Sequence, residues 1–230
     1  MDIREELCVK CTIKSSLVSI LNFEELTVLE KGCLQNEFQK GELIFKQGAP
    51  ANHIVYLREG FVKLSKRGIG GKDYILSISK KGAYLGIHNL NKKSRQYYVS
   101  ATAITKTEVC FIDIEKFNFL LKSNGNFASE VISYIFSDEM NYYDRLVNNV
   151  QQQLPGRLAN TLYYFWKQVY IDNSFNLNLT KAELASLIGT SRESVSRLLK
   201  EFQRMGIIEM KKNKITILDE EKLEEIKQKG

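Results

Sequence analysis

Two short helices joined by a glycine turn are predicted over residues 180–199, and they constrain the fold more than any other part of the chain. Thr180 and Glu183 have the spacing of a capping box, in which a hydroxyl and a carboxylate satisfy the first unpaired N–H groups of a helix. Gly189 can end that helix in the left-handed conformation, and Ala185 is small where the two helices would cross. The apolar positions recur at helical spacing, at Leu184, Leu187 and Ile188.

The second helix is predicted to begin at another capping box, from Thr190 to Glu193. Its buried face would consist of Val195, Leu198, Leu199 and Phe202. Two helices joined by a turn of three or four residues are the geometry that places one helix in the major groove of DNA. An ordinary helical hairpin with a solvated polar face is the alternative. The small Ala, the turn Gly and the paired caps together favour DNA binding.

The exposed side of the second helix carries groups that suit DNA. Arg can donate two hydrogen bonds to guanine, Glu can accept one from cytosine, and Ser hydroxyls suit phosphate oxygens. A β-hairpin is predicted over residues 207–218, and the lysines at its tip could meet phosphates as a wing. The predicted DNA contacts are Thr180, Ser191, Arg192, Glu193, Ser194, Ser196, Arg197, Lys211 and Lys212.

The charge distribution supports a nucleic-acid partner. Residues 154–218 contain ten Lys or Arg and five Asp or Glu, a net charge of +5, whereas residues 126–153 carry one Arg against four acidic residues, a net charge of −3. The whole chain has a net charge of +6. Positive charge concentrated where the helix pair lies favours a polyanion such as DNA.

Between Glu37 and about Ile114 the pattern changes to short strands rich in β-branched and aromatic residues, with Gly at the bends. Closely spaced strands of this kind predict a barrel or jelly roll. The predicted strands cover residues 43–45, 54–57, 61–64, 74–78, 97–99 and 109–112. Residues 1–36 are predicted to be helical in parts, with Asn22 as a cap.

A long helix is predicted over residues 126–153, with apolar residues at alternating spacings of four and three. These are Phe136, Met140, Tyr143, Val147, Val150 and Leu154. The alternative is a packing stripe within one chain. A helix of about 25 residues spans roughly 37 Å at 1.5 Å per residue, which exceeds what a small domain needs, so we expect a homodimer.

The 230 residues suffice for two modest domains, and no apolar run is long enough for a membrane span. The N-terminus has no signal-peptide core, so we expect a cytoplasmic protein without a membrane partner. Four Cys would then be reduced thiols or metal ligands. The sequence offers no catalytic triad, P-loop or dinucleotide fingerprint, and we do not expect an enzyme.

We therefore predict an α+β chain of three parts. Residues 1–125 would form N-terminal helices and a sensory β-roll of the cyclic-nucleotide-binding type, a double-stranded jelly roll. Residues 126–153 would form the dimerisation helix, and residues 154–230 a winged helix-turn-helix domain. Together these parts resemble the CRP/FNR family of bacterial transcription regulators. The most specific matches are LTKAELASLIGTSRESVSRLLKEFQRMGIIE and KGELIFKQGAPANHIVYLREGFVKL.

The resemblance implies a dimer that binds a two-fold symmetric DNA site, and RNA polymerase as a partner if the chain is an activator. The spacing of Glu193, Ser196 and Arg197 looks more like the FNR branch, whereas Arg192 looks more like the CRP branch. The signal would alter packing at the long helices and reset the spacing of two recognition helices.

The resemblance fails at the ligand pocket. Cyclic-AMP binders of this family use a Gly-Glu-Leu turn and an Arg-Ser pair. Here Gly82 is followed by Ala83, and the Arg-Ser positions fall on Tyr97 and Tyr98. The charged contacts are missing, so a cyclic nucleotide is not expected. Arg95 lies close by in the sequence, and the candidate effector pocket consists of Ala83, Arg95, Tyr97 and Tyr98.

The cysteines leave three alternatives open. The oxygen-sensing FNR branch holds a [4Fe–4S] cluster with several N-terminal Cys and one in the roll. Cys110 matches the roll position, and Cys8 and Cys11 supply an N-terminal C-x-x-C, but the third N-terminal position looks closest to Ser16. Cys33 could take the place of this third N-terminal ligand only if the chain folds back to bring it near the other cysteines. Cys8, Cys11, Cys33 and Cys110 could instead bind zinc, or bind no metal.

Two other functions compete with DNA-binding regulation. One is a β-roll that binds a ligand and acts through protein contacts. The other is a thiol redox protein that uses Cys8 and Cys11, but the βαβ context of such proteins is missing around them. Neither alternative accounts for the predicted helix-turn-helix.

Overall fold

The computed structural model describes Cys11 and residues 15–71, 73–90 and 95–230. The chain forms two compact units, Met1–Glu139 and Met140–Gly230. The boundary falls inside the long helix, and the three domain ranges expected from the sequence stay a prediction. Within the described ranges, no helix is both long and apolar enough to cross a bilayer.

The first unit begins with two helices, α1 (Ser16–Ser19) and α2 (Phe23–Glu30). Asn22 caps α2 as predicted, because its side chain accepts the backbone N–H of Glu25 at 2.9 Å and the Glu25 carboxylate accepts the N–H of Asn22 at 2.9 Å. This reciprocal pair satisfies two backbone groups that a helix start otherwise leaves exposed.

Two four-stranded antiparallel sheets follow and confirm the β-roll. The strands are β1 (Cys33–Phe38), β2 (Leu43–Phe45), β3 (His53–Glu59), β4 (Phe61–Arg67), β5 (Asp73–Lys80), β6 (Tyr84–Leu85), β7 (Ser100–Ala103) and β8 (Thr107–Asp113). Their orders are β1-β8-β3-β6 and β2-β7-β4-β5.

Two details of the predicted strands were wrong. Cys33 begins β1, which pairs with β8, whereas the sequence placed this region among the N-terminal helices. The pairing comes from β8, far along the chain, and no local signal shows it. Residues 97–99 form no strand, although they are aromatic and β-branched. The strand begins at Ser100, because the chain before it follows an irregular path across Pro50 with a single bridge at Gln96.

The roll buries apolar side chains on both faces of its first sheet. Val55 and Leu57 of β3 face the second sheet, while Ile54 and Tyr56 face the helices. Successive strand residues point to opposite faces, so a strand covered on both sides needs an uninterrupted apolar run. β3 has such a run, which explains why it lies inside the sheet.

Helix α3 (Ile114–Ser123) leads into the long helix α4 (Gly125–Gln151). Phe127 and Val131, near the start of α4, are buried against the first unit. The predicted heptad residues remain exposed on α4 in this single chain: Phe136, Met140, Tyr143, Val147 and Val150, hereafter the seam. Leu154 does not belong to α4, because the helix ends at Gln151 and a new helix begins at Leu154.

The second unit is a small helical domain with a three-stranded sheet. Its elements are α5 (Leu154–Tyr164), a π-helical turn (Phe165–Tyr170), β9 (Ser174–Asn176), α6 (Lys181–Ile188), α7 (Arg192–Arg204), β10 (Ile208–Lys211), β11 (Lys214–Ile217) and α8 (Glu220–Lys229). The sheet order is β10-β11-β9. Helix α8 packs against α5 and buries Leu223 completely.

Candidate nucleic-acid interface

Helix α6 begins at the predicted capping box. The Thr180 hydroxyl accepts the backbone N–H of Glu183 at 3.2 Å, and the Glu183 carboxylate accepts the N–H of Thr180 at 2.8 Å. The Thr180 hydroxyl also donates to that carboxylate at 2.9 Å. The side chain predicted to contact DNA is therefore engaged in holding the helix start, where a cap contributes about 1 kcal/mol.

The turn after α6 confirms the role of its glycine. Gly189 has φ 67° and ψ 48°, the left-handed conformation, and its N–H bonds to the carbonyl of Ala185. A side chain at this position would strain the backbone by roughly 1 kcal/mol or more. The turn thus reverses the chain within three residues and sets the start of α7.

The second predicted capping box was wrong by one residue. Helix α7 begins at Arg192 with Ser191, not Thr190, as its cap, and the Ser191 hydroxyl accepts the N–H of Ser194 at 3.1 Å. It also donates to the Ser194 hydroxyl at 3.1 Å. The two serines predicted to bind phosphate are bonded to each other in this state. Spacing alone does not resolve which of the adjacent Thr190 and Ser191 caps the helix.

The buried face of α7 is the predicted one, and it turns the polar face outward. Val195, Leu198, Leu199 and Phe202 are at most 4% exposed. Ala185, at 3%, lets α6 pack closely against α7. The opposite side forms an open, charged concavity that we call the recognition face, lined by Glu193, Ser196, Arg197, Lys200, Glu201 and Arg204.

Three members of the recognition face were missed in the sequence. Lys200, Glu201 and Arg204 are exposed and lie on the same side as Arg197. Their spacing of three, four and seven residues from Arg197 would have found them, because residues at such intervals share one side of a helix. The missed residues extend the cationic surface toward the C-terminal end of α7.

Lys181, the first residue of α6, reaches across to α7. Its ammonium group donates to the Ser196 hydroxyl at 3.3 Å. Both side chains are half-buried. This bond links the first helix of the pair to the recognition face and was not expected from the sequence.

The predicted wing is present as β10 and β11, joined by Lys212 and Asn213. Lys212 has φ 55°, an uncommon conformation for a residue with a side chain, and it is fully exposed at the tip. Lys211 forms an exposed ion pair with Glu209 at 2.8 Å, which contributes little to stability. The wing therefore offers two lysines to solvent, as a phosphate contact would require.

The predicted effector pocket does not form as one group of side chains. The Tyr97 ring is buried and stacks on Phe45 with centroids 4.0 Å apart, and its hydroxyl donates to the carbonyl of His53 at 2.9 Å. Tyr98 is 66% exposed, with the Lys66 ammonium 3.3 Å from its ring centre. Adjacent residues thus point to opposite sides, one into the roll and one to solvent.

A cyclic nucleotide does not fit the residues of this roll. Ala83 offers no carboxylate to a ribose, Arg95 is exposed, and the buried Tyr97 ring packs within the core of the roll. A side chain added at Gly86 would meet Tyr97 at 3.0 Å, so that ring closes tightly on the turn of residues 82–86. A buried phosphate needs charged partners, and neither Ala83 nor the buried Tyr97 supplies one.

Cys33 and Cys110 lie on the same face of neighbouring strands, because Cys33 pairs with Ile112 and Gln35 pairs with Cys110. That face packs against the helices. Burial raises the pKa of Tyr56, and the Cys11 and Cys110 thiols add to the increase, so both lie near its phenol. None of the three described cysteines forms a disulfide.

The metal site suggested by the four cysteines stays a prediction. In the ranges the structure describes, no three His, Cys, Asp or Glu side chains lie close enough together to hold a metal ion. Cys8 lies outside the described residues. The described thiols thus do not fit a cluster or a zinc site, and we derive no step through either.

Two family models match the chain in the order of its two units. Residues 35–124 match the cyclic nucleotide-binding domain, and residues 156–226 match the Crp-like helix-turn-helix domain. Together they cover more than half of the chain. The first match concerns the fold of the roll, since the residues that would hold the nucleotide differ.

Similar proteins match this chain over most of their own length. Electron transport regulator A of Shewanella oneidensis is 26% identical over 94% of this chain and 85% of its own. The anaerobic regulatory protein of Bacillus subtilis is 23% identical over 86% and 84%. FixK2 from Bradyrhizobium japonicum has the same fold, with a TM-score of 0.77 at 17% identity over 84% of this chain and 96% of that one. The chain belongs to the CRP/FNR family of transcription regulators.

Proposed function

We propose that this chain is a homodimeric transcription regulator that binds a two-fold symmetric DNA site through the recognition face of α7. The observation that carries the proposal is this exposed face, which presents Glu193, Ser196 and Arg197 together on a helix whose other side is buried. Arg and Glu at the start of such a helix can distinguish guanine and cytosine edges in the major groove.

Dimerisation is supported by the seam of α4. Its five apolar side chains are between 49% and 72% exposed in the single chain. Alternating spacings of four and three put them on one stripe of the helix, as in a two-stranded coiled coil. Contiguous exposed apolar stripes are uncommon on monomers, and a second copy of α4 would cover this one.

A dimer with two recognition helices would read two half-sites about one helical turn apart. Phosphate contacts from the wing lysines and from Lys200 and Arg204 would add affinity without sequence preference. We place the protein in the cytoplasm, where it would meet DNA, and RNA polymerase would be a partner if it activates transcription.

The experiment is a selection from random duplex DNA with the purified protein, followed by affinity measurements on the selected sequence. We expect a palindrome. Arg197→Ala should weaken binding about five- to 150-fold per half-site, the loss of one bidentate base contact, with little change in salt dependence. Lys229→Ala, at an exposed position of α8, is the matched control and should bind like the wild type. Equal affinities for both variants would exclude the recognition face.

A redox signal is the candidate favoured by two relatives, which are named for electron transport and anaerobic regulation. Cys33 and Cys110, which lie on the same face of neighbouring strands, and Cys11 are the residues that could respond. The test is protein purified without oxygen, with iron and sulfide counted per chain and DNA affinity measured before and after exposure to air. Substitution of Cys110 by Ser should abolish any response. Identical affinity under both conditions would contradict a redox signal.

A further inference from the structure

We infer that α8 is a strap that fixes the angle between the end of α4 and the helix-turn-helix, and that Gln152 is the positioning residue that fastens this strap. The inference rests on the proposed function, because in a dimer this angle sets the distance between the two recognition faces. All the residues involved lie in the unit Met140–Gly230, which contains the end of α4.

The junction between α4 and α5 is short. Helix α4 ends at Gln151 and α5 begins at Leu154, so two residues connect them. Gln153, the second of these, has an extended backbone, and its side chain makes no bond to the start of α5. Each residue has two soft backbone dihedrals, so the two helices could swing against each other. Contacts from other parts of the unit must therefore hold the angle.

Helix α8 reaches from this junction to the end of the recognition helix. At one end, the Gln152 amide donates to the carbonyl of Lys227 at 2.6 Å. At the other, the Lys222 ammonium lies 3.5 Å from the carbonyl of Met205, the C-cap of α7. Between them, Leu223 is fully buried where α8 packs against α5. One helix thus connects the end of α4 to the end of α7.

Close contacts hold the last turns of α8 in place on α5. The Lys227 ammonium lies 3.9 Å from the centre of the Tyr163 ring, a favourable cation–π distance. A side chain added at Gly156 would come within 2.8 Å of the backbone of Gly230, so the two helices also touch at the start of α5. Because α8 is fixed in this way, its bond to Gln152 ties the junction to a rigid support.

The Gln152 side chain does not serve stability alone. Its amide oxygen is buried and makes no hydrogen bond to the described residues. A buried acceptor without a partner lowers stability, which offsets much of what the bond from the amide nitrogen contributes. An apolar side chain of the same length would fill the space without this loss. What the amide adds is a bond of fixed direction, which is the property that a positioning residue needs.

Arg157 offers the competing account of the junction. Its guanidinium donates to the Gln152 carbonyl at 2.9 Å and to the carbonyl of Ile188, at the end of α6, at 3.4 Å. If Arg157 held the angle by itself, the amide of Gln152 would only fill space. Its loss would then change nothing in DNA binding.

The test uses the full-length protein and versions of the selected palindrome whose half-sites are moved apart or together by one or two base pairs. Each base pair changes the separation by about 3.4 Å and the rotation by roughly 35°. A duplex with a single half-site measures the recognition face by itself. Gln152→Met keeps the length of the side chain and removes its amide. Gln153→Met, at the exposed neighbouring position, is the matched control.

Gln152→Met should be as stable to heat as the wild type and should bind the single half-site equally well. It should bind the selected palindrome about two- to tenfold less tightly per half-site, the effect of one hydrogen bond, because the angle must now be fixed on binding. Its loss of affinity on altered spacing should shrink by a similar factor. Gln153→Met should match the wild type on every duplex.

Three results would overturn the inference. A spacing profile of Gln152→Met identical to that of the wild type would favour Arg157 and leave the proposed function intact. Equal weakening on the palindrome and on the single half-site would assign Gln152 to the folding of the unit and also leave the proposed function intact. A wild type that binds the palindrome no better than a single half-site would overturn the proposed function together with the inference.

Discussion

The β-roll and the C-terminal unit use their side chains in opposite ways. In the roll, Tyr97 and the aliphatic residues around it are turned inward and packed, so one of the positions expected to hold a ligand provides core instead. In the C-terminal unit, the apolar side of α7 is buried and its charged side is open to solvent. The two units therefore differ in what their packing leaves exposed: Tyr97 is enclosed in the roll, whereas one side of α7 is open to solvent.

The first test of this comparison removes a buried side chain from the interior of the roll. Tyr97→Ala removes a stacked, buried ring and should lower the free energy of unfolding of the roll by about 3–5 kcal/mol. Urea titration followed by two probes, one for each unit, would measure it. Tyr97→Phe is the matched control and should cost only about 1 kcal/mol, for the bond to the His53 carbonyl. If the roll of Tyr97→Ala were as stable as that of the wild type, the Tyr97 ring would line a pocket and would not belong to the packed core.

The second test concerns the seam of α4, the helix that contains the boundary between the two units. Val147→Asp would place two carboxylates in the apolar interface of the proposed dimer and should weaken dimerisation by about 3 kcal/mol, or roughly 100-fold. Sedimentation equilibrium measures this constant directly. Asn148→Asp adds the same charge one residue away, off the seam, and should leave the dimer intact. If both variants dimerise equally, α4 is not the interface.

The start of α6 offers a smaller and more local test. Thr180→Ala removes the hydroxyl that caps the helix and should destabilise the C-terminal unit by about 1 kcal/mol. The roll transition should not move. Thr180→Ser retains the oxygen and should be close to wild type. Should Thr180→Ala instead weaken DNA binding without affecting stability, the side chain would contact DNA as first predicted.

The smallest expected effect is a loss of stability at high pH. Burial raises the pKa of Tyr84 well above 10, its ordinary value. The folded state keeps the proton while the unfolded state loses it above pH 10, so stability is full below that pH and falls above it. The loss from Tyr84 should be about 0.8 kcal/mol at pH 10.5. Alkaline denaturation of Tyr84→Phe should have a smaller pH slope, and an unchanged slope would contradict a neutral, buried phenol.

Much of the C-terminal unit could be predicted from the sequence because its signals are local. The Thr180 cap, the left-handed Gly189 and the buried face of α7 each depend on residues within one or two helical turns. One error, Thr190 for Ser191 as the second cap, arose where two hydroxyl side chains stand next to each other in the sequence and spacing does not decide between them.

The roll could be predicted as a class of fold but not in its site. Cys33 enters a strand only because Ile112, far away in sequence, pairs with it. Tyr97 is core only because Phe45 stacks on it. The bond between Lys181 and Ser196 likewise joins two helices, and no spacing rule indicates it. These contacts join segments that are far apart in the sequence, and a local pattern of residue types does not specify them.

The most direct measurement of the central claim compares the affinities of three duplexes of equal length at one salt concentration. They are the selected palindrome, the same palindrome with one half-site scrambled, and a random sequence. A dimer that reads DNA with two recognition faces should bind the intact palindrome at least about 100-fold more tightly than the half-scrambled duplex, which itself should exceed the random one. Equal affinity for all three would show that the charged face of α7 binds DNA without reading it, and would contradict the account.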